Sequence, residues 1–214
     1  MNAHFCEIAE IASGKFNSIK FSTFSNINTV KQEITMANNQ RVGSIKQSPD
    51  QCIAMIEIPK GSNIKYEYDM ESGFIKVDRK LFTAMYYPCN YGFIPNTLEE
   101  DGDPLDILVL GETALAPLSL INVIPVGVLK TEDEEGQDSK IVAIPVSKID
   151  PSFSNVSNIE DVPDHLKNQI KHFFEHYKEL EKGKFVKVSG WDGKETAIKK
   201  ISNAIDVYEK ESEN

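Results

Sequence analysis

The sequence predicts a mainly β protein with α elements added at its end, an α+β fold in which a small closed barrel carries two C-terminal helices. Three observations lead there. Between Cys52 and Val146, short β-rich runs alternate with turns and no helical spacing intervenes; helical spacing is confined to segments after Pro163; residues 1 to about 45 show neither pattern. Many short strands with no helix between them form an antiparallel sheet whose edges must be closed or covered, and a small barrel achieves that closure.

The first 45 residues are taken as a separate tail, disordered or targeting, before a single domain over 46–214. Phe16 to Asn26 is polar, rich in Ser and Asn and aperiodic, which marks a poorly ordered segment. Ser13 to Gln32 contains lysines and no acidic residue, a faint likeness to an organelle transit peptide, against which stand Glu7, Glu10 and the lack of early arginine. Met36 serves as well as Met1 for a start.

The strands expected next are Cys52 to Ile58, Ile64 to Tyr68, Phe74 to Val77, Tyr91 to Ile94, Leu105 to Leu110, Ile121 to Leu129 and Ile141 to Val146. Gly61, Gly73, Gly92, Gly102, Gly111 and Gly136 punctuate them. After Pro163, which suits a first helical turn, Leu166, Ile170, Phe173, Tyr177 and Leu180 recur at helical spacing until Gly183 stops them. Ile198, Ile201, Ile205 and Tyr208 form a second such face after Trp191-Asp192-Gly193. Both helices are expected to pack on the barrel, with no internal repeat and no second domain.

Composition narrows the function. A chain of 214 residues, 40% hydrophobic, can bury one substantial core. The net charge of -10 argues against nucleic acid, whose phosphates need a basic face, and means that an anionic substrate would require metal ions to reverse the local field. Cys6, Cys52 and Cys89 are odd in number and form no CxxC pair, which fits a reducing compartment and makes Cys89 a packed thiol. No apolar run is long enough to cross a bilayer and no secretory signal opens the chain, so no membrane partner is expected.

The chemistry centres on Asp101-Gly102-Asp103-Pro104-Leu105-Asp106, which puts three carboxylates within six residues. Gly102 permits positive φ and Pro104 fixes its own, so the segment is a tight turn that presents its side chains. Hard cations such as magnesium and calcium take oxygen ligands, and a bound cation offsets the repulsion of close carboxylates. A solvated turn is the plainer reading. A second acidic stretch, Glu132-Asp133-Glu134-Glu135-Gly136-Gln137-Asp138, has the place of a hairpin tip. Both stretches travel with Glu57-Ile58-Pro59, Lys65-Tyr66-Glu67, Arg79, Tyr87 and Tyr91, a mixture suited to holding a polyanion between metals and fixed cations.

These residues resemble the soluble family I inorganic pyrophosphatases, and the bacterial type in particular. The likeness rests on Ile56-Glu57-Ile58-Pro59, Lys65-Tyr66-Glu67, Val77-Asp78-Arg79, Tyr87-Pro88-Cys89-Asn90-Tyr91-Gly92, the three-aspartate turn, Asp133-Glu134 with Asp138 and Lys140, and His176-Tyr177-Lys178, in family order from about Cys52 to Val207. The turn is the family's signature, whereas Lys-Tyr-Glu or Glu-Ile-Pro alone would be weak.

The resemblance implies a distorted five-stranded OB-like barrel and hydrolysis of inorganic pyrophosphate to two orthophosphates, assisted by several Mg2+ ions, with Mn2+ or Zn2+ as substitutes. Asp101, Asp106 and Asp138 would bind a first metal, with Asp106 reaching a second. Asp133 and Asp138 would hold a third, borne by the substrate, and Glu67 would reach a fourth through water, with Glu57 and Glu134 supporting the acidic lining. Asp103 would accept the proton of a metal-activated water nucleophile. Lys65, Arg79, Tyr91, Tyr177 and Lys178 would hold the phosphates and stabilise the leaving one, with Tyr87 and Lys140 lining the same site. A homohexamer and a cytoplasmic location, or an organelle if the tail is a transit peptide, are implied as well.

Two other functions compete. His172-Phe173-Phe174-Glu175-His176 matches the H-x-x-E-H pattern of zinc peptidases, although its third ligand has only generic candidates in Glu179, Glu181 and Glu195. A non-catalytic divalent-cation-binding barrel is the second. An EF-hand is excluded because Asp106 stands where its loop needs glycine, and an oligonucleotide barrel fails on charge.

Overall fold

The computed structural model describes residues 45–134 and 136–212. The tail expected over residues 1–45 therefore lies outside the described residues, Ile45 excepted, and so does Cys6. The strands are β1 (Cys52–Ile58), β2 (Ile64–Asp69), β3 (Phe74–Lys80), β4 (Asn90–Phe93), β5 (Asp106–Val109), β6 (Leu120–Asp133), β7 (Gly136–Gln137), β8 (Lys140–Pro145) and β9 (Val186–Gly193). Helices α1 (Asp164–His176) and α2 (Lys194–Ser212) flank β9, and two short 3-10 turns precede α1.

Five strands close into a ring in the order β1-β4-β5-β8-β6, with β6 returning to β1. Closure depends on the 14-residue β6. Its first part pairs with β1 from Leu120 to Val123, and its middle pairs with β8 from Val123 to Leu129. Its last part pairs with β9 and β7. A register shift between Pro125 and Gly127 lets this strand bend, and proline, which has no N–H to donate, is tolerated at such a bulge. β2 and β3 form a separate hairpin.

Alternate side chains of the ring face opposite ways, and both faces are buried. Ile107, Val109, Ile141 and Ala143 pack with Ala197, Ile201 and Ala204 of α2. Leu108, Leu110, Val142 and Ile144 pack with Ile170, Phe173 and Phe174 of α1. β5 and β8 are accordingly apolar at successive positions rather than at every second one. At Gly92 the backbone of β1 comes so close that an added Cβ would lie 1.9 Å from the Met55 carbonyl oxygen, so only glycine permits the β1–β4 pairing there.

The structure corrects three expectations. The sheet is not wholly antiparallel, because β5 and β8 run parallel, Ile107 opposite Ile141. Strand β9 is not among the expected strands: Val186 and Val188 alternate with Lys187 and Ser189, but the alternation breaks at Gly190, where its register against β6 shifts. Helix α1 ends at His176, with Tyr177 as its C-cap and Pro163 as its N-cap. Beyond it, bonds from Glu179 N to the His176 carbonyl and from Glu181 N to the Lys178 carbonyl turn the chain, leaving Leu180 63% exposed instead of packed.

Among the described residues no helix is long and apolar enough to cross a membrane. Cys52 and Cys89 are buried free thiols. Burial pushes both up to about 12, which keeps them protonated and unreactive.

Candidate active site

One end of the ring gathers the acidic groups, and strand direction explains how. Asp106 begins β5 and Lys140 begins β8; because these strands are parallel and paired at Ile107 and Ile141, both side chains start at the same end. β6 runs the opposite way and finishes there with Asp133. The hairpin of β6 and β7 then returns the chain, so that Asp138 follows two residues before Lys140. Gly102, at φ +91°, lets the chain reverse ahead of β5, and Asp101 Oδ1 accepts the N–H of Asp103 at 3.0 Å.

These residues open on a cleft of about 1160 Å³ that Asp101, Asp103, Asp106, Asp133, Glu134 and Asp138 share with Lys65, Arg79, Lys140, Lys178 and three tyrosines, Tyr87, Tyr91 and Tyr177. Asp106 is the hub: it accepts the Tyr91 hydroxyl and stands 2.6 Å from Lys140 Nζ. Lys140 also lies 2.7 Å from Asp138 Oδ1 and is only 3% exposed. Burial works to lower its pKa, but Asp106 and Asp138 outweigh burial and hold it above the ordinary lysine value. Asp138 is raised, by burial first and by Asp106 and Asp133, with Lys140 opposing.

The basic wall comes from the β2–β3 hairpin and the end of α1. A register shift between Lys65 and Tyr66 leaves Asp78 as an extra residue, so Lys65 and Arg79 stand directly opposite each other. Two like charges in such a pair repel. Asp78 answers both, at 3.5 Å from Lys65 Nζ and in contact with Arg79, whose Nε also donates to Glu181 at 3.0 Å. Burial tends to lower the Arg79 pKa, yet Glu181 and Asp78 hold it above its ordinary value. Tyr87 packs on Phe173 at 4.7 Å between ring centroids, and Phe173 stacks on Tyr177 at 5.1 Å. This aromatic floor fixes the end of α1 and brings Lys178 Nζ to 3.0 Å from Asp133. Burial raises Tyr87, Tyr91 and Tyr177, so all three stay protonated donors at neutral pH.

Most of the residues expected from the sequence therefore share one cleft, with two outside its lining. Glu67 is half exposed and lies 2.5 Å from Lys65. Glu57 occupies the bulge of β1 between Ile56 and Ile58 and accepts the Tyr68 N–H at 2.7 Å. Glu134 lines the cleft and contacts Lys184. His172 and His176 sit on the outer side of α1, rings 4.6 Å apart, and take no part in the lining; His176 instead contacts Glu179 at 2.9 Å. Reasoning from sequence missed Asp78 as the charge between Lys65 and Arg79, Glu181 as the partner of Arg79, and Glu99 and Lys200 in the lining. Nothing local distinguishes these residues from ordinary surface charges.

Glu57 carries a pH signature. Burial first, then Asp106 and Glu67, push its carboxyl from 4.5 up to about 7, against the opposing Tyr68 N–H and Lys65. Since the folded pKa lies above the unfolded one, the stability it contributes is complete below about 4.5 and is lost as pH rises through 7. In chelator, Glu57→Gln is expected to melt higher than the parent at pH 8, by at most about 3 kcal/mol of stability, and equally near pH 4. A melting series against pH checks this, and a variant less stable than the parent at pH 8 would contradict it.

The donor set suits hard cations: among the described residues several carboxylates and no thiol or imidazole line the cleft, and the ammonium of Lys140 already bridges two of the carboxylates. Among the described residues, no three carboxylate, imidazole or thiol groups converge closely enough to cage an ion by themselves.

Comparison with known proteins bears on this site. The family model for Inorganic pyrophosphatase matches residues 54–209. An inorganic pyrophosphatase of Sulfolobus acidocaldarius is 61% identical over 160 residues, covering 75% of this chain and 92% of that protein. That of Saccharolobus solfataricus is 55% identical over 166 residues, covering 78% and 96%. The solved structure of the Helicobacter pylori inorganic pyrophosphatase superposes with a TM-score of 0.76 at 51% identity, covering 78% of this chain and 98% of its own.

Proposed function

Since the chain belongs to the inorganic pyrophosphatase family and hydrolyses inorganic pyrophosphate, we propose that it does so by holding the substrate between the two walls of the cleft, with several magnesium ions on the acidic side. The observation that carries this reading is the meeting of opposite charges in one open cleft: five aspartates from the Asp101–Asp106 turn and the ends of β6 to β8 face cations from β2, β3, β8 and the end of α1.

Asp101, Asp106, Asp133 and Asp138 would hold the ions, with Glu57, Glu67 and Glu134 supporting them from the periphery. When bound, divalent cations neutralise phosphate charge and make water acidic enough to attack near neutral pH. Asp103 stands in the exposed part of the turn and would accept the proton of the attacking water. Lys65, Arg79 and Lys178 would grip the phosphoryl oxygens, while the hydroxyl of Tyr177, and that of Tyr91 once it turns from Asp106, would donate to the leaving phosphate. Tyr87 and Lys140 would hold this wall in place. We assign Lys140 a further duty: its ammonium neutralises Asp106 and Asp138 while they carry no metal.

We also infer a homohexamer and a cytoplasmic setting. Phe74, Phe82 and Leu120 are each more than half exposed, apolar surface that self-association would cover, and buried free thiols suit a reducing compartment.

A phosphate-release assay tests the reading. Pyrophosphate with magnesium is expected to yield orthophosphate, whereas ATP, a phosphomonoester and a peptide are not turned over comparably. His172→Ala and His176→Ala are expected to leave this activity in place apart from any assembly defect. Zinc-dependent peptide hydrolysis abolished by either substitution would replace the reading with the peptidase one.

A further inference from the structure

The cleft does not end at the aspartates. It continues to α2, where Lys200 and Ala204 touch the segment that leads into the three-aspartate turn. Lys200 Nζ lies 2.9 Å from Glu99 Oε1, and the Ala204 carbonyl accepts the N–H of Leu98 at 3.0 Å. Lys200 and Ala204 are one helical turn apart, so the two contacts act as neighbouring rungs on one face of α2. That helix is a firm base, since Ala197 and Ile201 are fully buried in the core.

Glu99 in turn is tied to the aspartates through backbone. Its N–H donates to the Asp103 carbonyl at 2.9 Å, and its carbonyl accepts the N–H of Gly102 at 3.1 Å. Displacing Glu99 therefore displaces Asp103 and the residues on either side of it. The ion pair is partly shielded, with side chains 32% and 23% exposed, and joins residues far apart in sequence. A freely solvated pair would contribute little; a shielded pair attached to an otherwise exposed turn restricts where that turn can go.

We propose that Lys200 is a positioning residue which, through Glu99, holds the Asp101–Asp106 turn in the geometry that receives divalent cations. This deepens the proposed function and rests on that turn binding metal.

The experiment is a calorimetric titration of the chelator-stripped full chain with magnesium, no substrate present, beside kinetics against magnesium and pyrophosphate. Lys200→Met is expected to weaken magnesium binding roughly three- to tenfold, Lys200→Arg to restore it to within about twofold, and the Glu99→Gln/Lys200→Met pair to be no weaker than Lys200→Met alone. Should Lys200→Met fail to fold, Lys200→Gln takes its place in the same comparison.

Parent-like magnesium binding in Lys200→Met, or in Lys200→Gln where that replaces it, overturns the proposal. So does a loss confined to Glu99→Gln, which would make Glu99 a ligand in its own right, or a raised KM for pyrophosphate with metal binding unchanged, which would put Lys200 on the substrate. Asp106→Asn separates the two levels: if it too binds magnesium like the parent, the underlying reading of the turn fails, whereas if it alone loses binding, only the role of Lys200 fails.

Discussion

Asp103→Asn is expected to lower turnover by on the order of 10² to 10⁴, the usual worth of a positioned general base, while magnesium binding persists. The structure gives reasons for both halves. Asp103 is anchored through its backbone, its N–H to Asp101 and its carbonyl to Glu99, so an isosteric amide leaves the turn folded. Asp101 and Asp106 keep their carboxylates for cations. What disappears is the carboxylate proposed as proton acceptor; bulk hydroxide would replace it in part, so the variant's rate should climb with pH more steeply than the parent's. Rates at saturating magnesium from pH 6 to 10 measure this. A pH profile parallel to the parent's would remove Asp103 from the proton-transfer role.

Asp106→Asn is expected to fail differently. This carboxylate accepts from Tyr91 and pairs with Lys140, so the amide removes a negative charge on which a buried ammonium depends. Lys140 keeps Asp138 at 2.7 Å, which limits the loss of stability to about 1–3 kcal/mol. For metal the change is larger, because a ligand assigned to two ions is gone: the magnesium needed for half-maximal rate should rise by about tenfold or more, and excess metal should restore part of the turnover. Titrating magnesium against rate, with melting in chelator, checks both. If magnesium rescues Asp103→Asn and does nothing for Asp106→Asn, the roles of base and ligand have been assigned the wrong way round.

Much of this architecture can be read locally. β1 to β5 and β8 emerge because they are short and rich in β-branched and aromatic residues, with glycine or proline marking many of the turns between them. α2 is legible from its apolar spacing. The expected extension of α1 to Leu180 fails for a local reason: the apolar spacing continues past His176, but the backbone there goes over from the i to i−4 bond of Tyr177 to the i to i−3 bonds of Glu179 and Glu181, which turn the chain. β9 is hard to read because its alternation lasts only from Val186 to Ser189 before Gly190 and the register shift break it. The uninterrupted apolar runs of β5 and β8 are what burial on both faces looks like, and parallel pairing goes with it.

By itself, the sequence determined the inventory of donors and charges. Three carboxylates around a glycine-proline turn, a second acidic hairpin, and lysine, arginine and tyrosine at motif spacing supply the oxygen ligands and fixed cations that the proposed cation site and anion grip would use, because residue type decides ligand preference and charge. Only the tertiary structure decided which charges answer which. Lys140 lies between Asp106 and Asp138 because β5 and β8 are parallel, Asp78 answers both Lys65 and Arg79 because of a bulge, and Lys200 reaches Glu99 because α2 packs under the turn. The first and third depend on the direction and packing of elements distant in the chain and the second on hairpin register, none of which leaves a periodic trace in the residues concerned.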